Sequence, residues 1–343
     1  VLILGLQLGW FERSGRPPAW PAEAKRIVVH ESATEGWTPL PCEEFIVGNL
    51  KLVLRQMLNC IRDNGYQPRQ RTDWLRHLER CRRSYEQALA EDETEYEQRT
   101  PIHPWVLARE IAEFLDPNAT IILDSFLVST YLTDKVKARF PGQILDSGEA
   151  GSFGHGIGMG IGAQLARPGR QVLVLTSDTS IGMGGGDVET ALRYRLPVVY
   201  LVCNHGSLAG GVDCFFQGQV QSWDYLPNIR YDQIYQVIGA HGEHVTEPAQ
   251  IRTALYRAFD SGRAAVVNVV VDNRVVHPWF ESLSFREGVI AHQLDVGKIP
   301  EPYRSYLVEG RTPGVEAALE RAGVPRSKTR KRVMAYDRAT CIG

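Results

Sequence analysis

The chain has 343 residues, 43% of them apolar, and a formal net charge of −2 at pH 7. A chain of this size and composition can bury the cores of about two globular domains. The small net charge argues against nucleic-acid binding through bulk positive charge, and the apolar runs are far shorter than the ~20 residues of a membrane span.

The cysteine pattern gives no sign of a zinc site or a disulfide framework. The six cysteines are Cys42, Cys60, Cys81, Cys203, Cys214 and Cys341. No two of them have CxxC spacing, so a reducing, cytoplasmic setting is expected. The apolar start of the chain lacks the charged region of a signal peptide, and we expect it to lie in the middle of a protein.

The first 100 residues predict two strands followed by helices. Apolar runs at 1–5 and 26–30 predict buried strands, and an amphipathic pattern predicts a helix over 51–62. Residues 66–100 are highly charged and predict a linker helix, whose apolar face carries Trp74, Leu75, Leu78, Cys81 and Tyr85. The acidic run at 91–95 is expected to be a solvated surface.

Residues 101–272 predict a complete α/β domain. The predicted helices cover 104–115, 158–165, 187–194, 231–238 and 248–260, and the predicted strands cover 120–123, 171–176, 198–203, 243–245 and 264–271. This alternation is typical of a doubly wound, mostly parallel sheet with helices on both faces. Residues 273–343 follow as a C-terminal segment. It is expected to contain an ordered lid or packing segment at 276–280 and a basic tail at 326–332, which either is disordered or contacts phosphates.

Two polar loops follow neighbouring strands of this domain. Asp178 follows the strand at 171–176, and Asn204-His205-Gly206 follow the strand at 198–203. Ligands of parallel sheets bind at the carboxyl edge, where both loops are expected, and these side chains could share a metal ion that carries phosphate. Glycines within 182–186 and a helix that opens at Asp187 would admit an anion. The alternative is an ordinary doubly wound sheet with glycine-rich loops.

These motifs resemble the diphosphate-binding domain of thiamine-diphosphate-dependent enzymes. Residues 177–179 (Ser-Asp-Thr) match the family's GDG or GDS, and Asn204-His205 match its NN about two dozen residues later. Residues 151–158 (GSFGHGIG) resemble GxMGxGxP, and Gly158 in place of proline favours the oxalyl-CoA decarboxylase and 2-hydroxyacyl-CoA lyase branch. Residues 8–18, with Trp10 and the GRPP turn, resemble the Rossmann-like central domain of that branch, of which residues 1–65 would be the C-terminal part.

The resemblance implies a cofactor and a set of site residues. Thiamine diphosphate would be bound through Mg²⁺ or another divalent metal. The implied metal ligands are the Asp178 and His205 side chains and the Ser207 carbonyl, and the implied cofactor-binding residues are Gly154, Thr179, Ser180, Asn204 and Ser207. The implied substrate is a 2-hydroxyacyl-CoA or an oxalyl-CoA, cleaved by a lyase or a decarboxylase.

The resemblance also implies a partner. In the family, the activating glutamate lies on a pyrimidine-binding domain of a neighbouring subunit, so we expect a separate pyrimidine-binding chain and a homo- or hetero-oligomer. The central domain of this branch binds the ADP part of CoA. Glu31 is then either a ribose acceptor or an exposed loop residue, and Arg13 and Arg16 either contact phosphates or solvate their loop.

Three positions depart from the family pattern. Ser177 replaces the first glycine of GDG, His205 replaces the second asparagine, and Leu127 stands near the place of an asparagine after an earlier strand. Imidazole is a poor ligand for Mg²⁺ and a good one for Mn²⁺, Co²⁺ or Zn²⁺. Two other functions therefore stay open: an acetolactate-synthase-like carboligase, and a non-catalytic scaffold with a degenerate cofactor site.

Overall fold

The computed structural model describes residues 1–277 except 10–11, 13–14, 16–19, 22, 35–40, 92, 98, 209–223, 227–228, 274 and 276. Trp10, Arg13, Arg16 and the basic tail lie outside the described residues, as does nearly all of the predicted C-terminal segment. The described residues divide into two compact units, 1–85 and 86–277. No helix among them is long and apolar enough to cross a membrane.

The first unit contains a parallel sheet of three strands in the order β1 (Leu2–Leu4), β2 (Ile27–His30) and β3 (Glu44–Val47). The two predicted strands are present. The strand β3 was not predicted; its two end residues are exposed and its two central residues only partly buried, so it lacks the apolar run of a buried strand. Asn49 then caps α1 (Leu50–Asp63) by accepting a hydrogen bond from the Leu52 N–H. The assignment of this unit to a Rossmann-like central domain stays a prediction.

Glu31 follows β2 and is exposed. The Asn49 side chain donates a hydrogen bond to it, at 2.7 Å from Nδ2 to Oε1. Farther along, α2 (Thr72–Glu91) forms most of the predicted linker helix, and its Trp74 and Leu75 side chains are exposed.

The second unit is the predicted doubly wound α/β domain. Its helices are α3 (Glu93–Tyr96), α4 (Pro104–Phe114), α5 (Phe126–Lys135), α6 (His155–Ala166), α7 (Asp178–Gly184), α8 (Val188–Arg193), α9 (Tyr231–Gln236) and α10 (Ile251–Asp260). Its strands are β4 (Thr120–Asp124), β5 (Ile144–Leu145), β6 (Val172–Ser177), β7 (Val199–Asn204), β8 (His241–Val245) and β9 (Ala265–Val270). All neighbouring strands pair in parallel, in the order β5-β4-β6-β7-β9-β8.

A separate hydrophobic core lies on each face of this sheet. Leu173 and Leu175 of β6 pack with α4, α5 and α10 on one face, while Val172 and Val174 pack with α6, α8 and α9 on the other. Successive strand residues point to opposite faces, so a strand that is apolar throughout fills both cores. The predicted doubly wound fold is confirmed.

The chain after β6 differs from the prediction. The glycines of 182–186 were expected in a loop before a helix at Asp187, but α7 begins directly at Asp178. The reason is Ser177, whose hydroxyl accepts a hydrogen bond from the Ser180 N–H at 3.2 Å and so caps the helix. The helix N-terminus at this edge of the sheet therefore belongs to α7, and α8 begins only after a further turn at Gly185–Asp187. The helix α5 and the two-residue strand β5 were also missed.

Glycines let α6 lie close against β6. A Cβ atom added to Gly160 would lie 2.5 Å from Val174 Cγ2 and 3.1 Å from Val198 Cγ1. Both neighbours are buried, β-branched side chains with little rotamer freedom. Gly162, in the same helix, has no atom within 4 Å of the corresponding position.

We expect Gly160→Ala to destabilise the α/β domain by about 1–3 kcal/mol, because overpacking forces the helix away from the sheet. Gly162→Ala is the matched control, and we expect it to be neutral or to stabilise the domain by up to about 1 kcal/mol through helix propensity. Urea unfolding followed by circular dichroism measures both. Equal effects of the two substitutions would contradict the close packing.

Candidate functional site

The carboxyl ends of β6 and β7 bring two polar loops together. Ser177 of β6 pairs with Cys203 of β7, so the residues that follow each strand lie side by side. The His205 Nε2 atom is 3.2 Å from the Asp178 Oδ1 atom, and both side chains are almost fully buried. The two side chains that the sequence predicts as metal ligands are therefore in direct contact.

Asp178 is surrounded by backbone donors. Its Oδ1 accepts a hydrogen bond from the Thr179 N–H at 3.0 Å, and its Oδ2 accepts from the N–H groups of His205 at 3.2 Å and Gly206 at 2.6 Å. Burial raises the pKa of Asp178 to about 7, although these N–H groups act in the opposite direction. Near neutral pH the carboxyl is thus poised between its two protonation states, and a nearby cation would hold it ionised.

His205 contributes an uncharged imidazole. Burial lowers its pKa to about 4, so the ring is neutral at pH 7. Its Nδ1 atom is buried and has no hydrogen-bond partner in the described part of the chain. A neutral imidazole binds a metal through its unprotonated nitrogen. Nε2, which faces Asp178 Oδ1, is the nitrogen that could share a cation with Asp178, and the proton would then be on Nδ1.

This donor set fits a divalent cation. Two ligands at about 2.1 Å from one ion and at right angles to each other are about 3 Å apart, close to the observed separation of Asp178 and His205. In the described ranges, no group of three or more His, Cys, Asp or Glu side chains is placed so that it could hold a metal ion by itself. The other ligands would then be a backbone carbonyl, such as that of Ser207, together with phosphate oxygens and water. A mixed nitrogen and oxygen set suits Mn²⁺, Co²⁺ or Zn²⁺ better than Mg²⁺.

Thr179 and Ser180 lie at the start of α7 and are fully buried. The Thr179 hydroxyl oxygen is 3.2 Å from the Ser207 carbonyl oxygen and 3.0 Å from that of Leu208. The Ser180 hydroxyl is 2.9 Å from both the carbonyl oxygen and the Oδ1 atom of Asp124. Both hydroxyls thus make hydrogen bonds within the protein, and their contact with a cofactor stays a prediction.

Asp124 is a site residue that the sequence analysis missed. Its carboxylate, at the end of β4, accepts hydrogen bonds from the N–H groups of Gly154 at 3.2 Å and Gly156 at 3.1 Å, besides the one from Ser180. The His155 Nδ1 atom is 3.3 Å from Asp124 Oδ1. Burial raises the pKa of Asp124. An acid at the end of a buried strand was the available signal, the same one that identified Asp178.

Gly154 occupies a position that only glycine fits. Its φ is +83°, and an added Cβ atom would lie 3.1 Å from the Gly184 nitrogen and 3.2 Å from the Ser180 carbonyl oxygen. A Cβ atom at Gly184 would in turn collide with the Gly154 carbonyl oxygen. The turn before α6 and the end of α7 therefore touch through their backbones.

The Asn204 side chain binds a backbone carbonyl group rather than Asp178 or His205. Its side chain donates a hydrogen bond to the Ile229 carbonyl oxygen at 2.9 Å, and Asn268 donates to the same oxygen at 3.1 Å. Asn268 also lies 3.3 Å from an oxygen of the buried Asp232. The role of Asn204 toward a cofactor stays a prediction; its Oδ1 atom and its second N–H are not used by the bond to Ile229.

The α/β domain is similar to known proteins. Residues 128–269 match the sequence model of the thiamine pyrophosphate enzyme C-terminal TPP binding domain. The chain is 36% identical over 184 residues to the acetolactate synthase large subunit of Mycobacterium tuberculosis, covering 52% of this chain and 33% of that protein. It is 26% identical over 283 residues to the 2-hydroxyacyl-CoA lyase of Arabidopsis thaliana, covering 79% and 49%.

A solved structure has the same fold. It is the thiamine diphosphate-dependent 4-hydroxybenzoylformate decarboxylase of Rhodococcus jostii, with a TM-score of 0.58 and 20% identity, over 75% of this chain and 46% of that one. The chain thus spans about half the length, or less, of the proteins it matches. The predicted resemblance is confirmed.

The pKa of Asp178 predicts how stability depends on pH. A carboxyl whose pKa rises from 3.8 to about 7 on folding contributes stability that is present below pH 4 and lost as the pH rises through 7. Between pH 6 and pH 8, we expect the free energy of unfolding of the chelator-treated protein to fall by about 1 kcal/mol more than that of the Asp178→Asn variant. Urea unfolding at both pH values measures this difference. A parallel pH dependence of the two proteins would show that Asp178 is ionised throughout this range.

Proposed function

We propose that this chain holds thiamine diphosphate through a divalent cation at Asp178 and His205, since its residues 128–269 match the thiamine pyrophosphate enzyme C-terminal TPP binding domain. The observation that carries the proposal is the contact between these two buried side chains at the ends of β6 and β7. Both residues lie inside the matched span of 128–269.

Each part of the site has a separate task in this proposal. Asp178, His205 and the Ser207 carbonyl would hold the cation, and the backbone contact between Gly154 and Gly184 leaves no side chain between the turn and α7. Thr179 and Ser180 keep the start of α7 in place through the hydrogen bonds described above. The bound cofactor supplies the carbon nucleophile and the electron sink for cleavage beside a carbonyl group.

The proposed activity is that of a carbon–carbon lyase or decarboxylase acting on a 2-hydroxyacyl-CoA or oxalyl-CoA type substrate. The similarity to 2-hydroxyacyl-CoA lyase over 283 residues supports it, since it covers 79% of this chain and is therefore longer than the α/β unit alone. A carboligase of the acetolactate synthase type is the second candidate, because the 184-residue match has the higher identity. A pyrimidine-binding domain on a partner chain is part of both proposals.

Calorimetric titration with thiamine diphosphate tests the cofactor proposal. We expect binding in Mn²⁺ and weaker binding in Mg²⁺, because imidazole is a poor Mg²⁺ ligand. Asp178→Ala should abolish binding, while His205→Asn should raise the affinity measured in Mg²⁺. Asp260→Ala, at an exposed position at the end of α10, is the matched control and should bind like the parent protein.

Two results would contradict the proposal. One is the absence of thiamine diphosphate binding with every divalent metal tried, and the other is binding that neither Asp178→Ala nor His205→Asn alters. Either result would favour the non-catalytic scaffold. Titration with CoA then separates the two enzymatic candidates, since only the lyase or decarboxylase needs a CoA site.

A further inference from the structure

The turn that contains two of the proposed metal ligands is held from both sides. Its N–H groups at His205 and Gly206 point to the Asp178 carboxylate. Its carbonyl groups at Ser207 and Leu208 accept from the Thr179 hydroxyl, 3.2 Å and 3.0 Å away. Asp178 and Thr179, which are consecutive at the start of α7, thus bind the N–H groups and the carbonyl groups of the same turn.

Tyr225 joins this arrangement from another part of the chain. Its N–H donates a hydrogen bond to the Gly206 carbonyl oxygen at 2.8 Å, next to an antiparallel bridge between Ser207 and Asp224. Its phenolic oxygen is 3.2 Å from the Thr179 hydroxyl oxygen. The backbone of Tyr225 therefore pairs with the turn while its side chain reaches the start of α7.

The direction of these hydrogen bonds follows from their chemistry. Carbonyl oxygens can only accept, so the single hydrogen of the Thr179 hydroxyl is donated to Ser207 or Leu208. The hydroxyl oxygen of Thr179 must then accept from the Tyr225 hydroxyl. The chain of donors runs from tyrosine to threonine to carbonyl, and each bond polarises and strengthens the next.

The Ser207 carbonyl retains bonding capacity in this arrangement. A carbonyl oxygen has two lone pairs, and the hydroxyl of Thr179 occupies at most one of them. Among the residues that the structure describes, the Thr179 hydroxyl is its one side-chain partner, so the carbonyl has a lone pair available for a cation. The Thr179 hydroxyl is shared between the carbonyls of Ser207 and Leu208 and so helps to hold the turn, while Tyr225 donates to that hydroxyl.

We propose that Tyr225 is a positioning residue for the cation site: through the Thr179 hydroxyl, it holds in place the turn that would present the Ser207 carbonyl oxygen to the cation. The inference rests on the proposed function, because it concerns the metal that carries thiamine diphosphate. It assigns Thr179 a role different from the one implied by the family resemblance. Its hydroxyl orients a metal ligand in place of contacting the diphosphate.

The test measures Mn²⁺ affinity in the presence of thiamine diphosphate, by the electron paramagnetic resonance signal of free Mn²⁺. Tyr225→Phe removes only the phenolic hydroxyl and should weaken Mn²⁺ binding by about 3- to 10-fold, the effect of one hydrogen bond. Thr179→Val should weaken it at least as much, and Thr179→Ser, which restores the hydroxyl, should recover most of the loss. Tyr256→Phe, at an exposed position in α10, is the control.

The double substitution separates positioning from general destabilisation. If Tyr225 acts through Thr179, Tyr225→Phe should have no further effect on Mn²⁺ affinity in the Thr179→Val background. Additive losses, or unchanged Mn²⁺ affinity in Tyr225→Phe, would overturn the inference and leave the proposed function standing. The absence of Mn²⁺ and thiamine diphosphate binding in the parent protein would overturn both.

Discussion

The buried carboxylate of Asp178 is the group on which the site depends. Three backbone N–H groups and one imidazole converge on it, and they come from two segments that are 27 residues apart in the chain. Removing a carboxylate from water is costly unless its oxygens accept hydrogen bonds or meet a cation. The folded protein supplies the hydrogen bonds, but burial still raises the pKa to about 7. A divalent cation beside Asp178 would offset the remaining cost of burying its negative charge.

A second buried carboxylate, Asp124, lies at the end of the neighbouring strand β4, just as Asp178 follows β6. Asp124 also accepts hydrogen bonds from backbone N–H groups of a glycine-rich turn. The Ser180 hydroxyl links Asp124 to α7, and Asp178, the first residue of α7, links that helix to the turn after β7. Their shared geometry has a simple cause. Both stand at carboxyl ends of parallel strands, where connecting loops turn back and expose N–H groups that no strand satisfies.

Sequence patterns were sufficient for the architecture of the α/β domain and for the expectation that Asp178 and His205 lie side by side. The apolar runs of β6 and β7 indicate strands buried on both faces, and the spacing between Asp178 and His205 indicates that their loops are neighbours. The patterns failed at α7, because a run of glycines is typical of a loop. Ser177 caps the helix at this point, and such local capping decides whether a glycine-rich segment becomes helical.

The sequence by itself determined which strands are buried, that they pair in parallel, and which acid and imidazole stand at their ends, since these features follow from periodicity and order along the chain. Only the tertiary structure decided which partners the polar groups take. It directs Asn204 to Ile229, Asp124 to the turn before α6, and Tyr225 to Thr179. Asn204 and Ile229 are 25 residues apart in the chain, and Thr179 and Tyr225 are 46 residues apart. No local pattern encodes a hydrogen bond between groups that only folding brings within about 3.5 Å of each other.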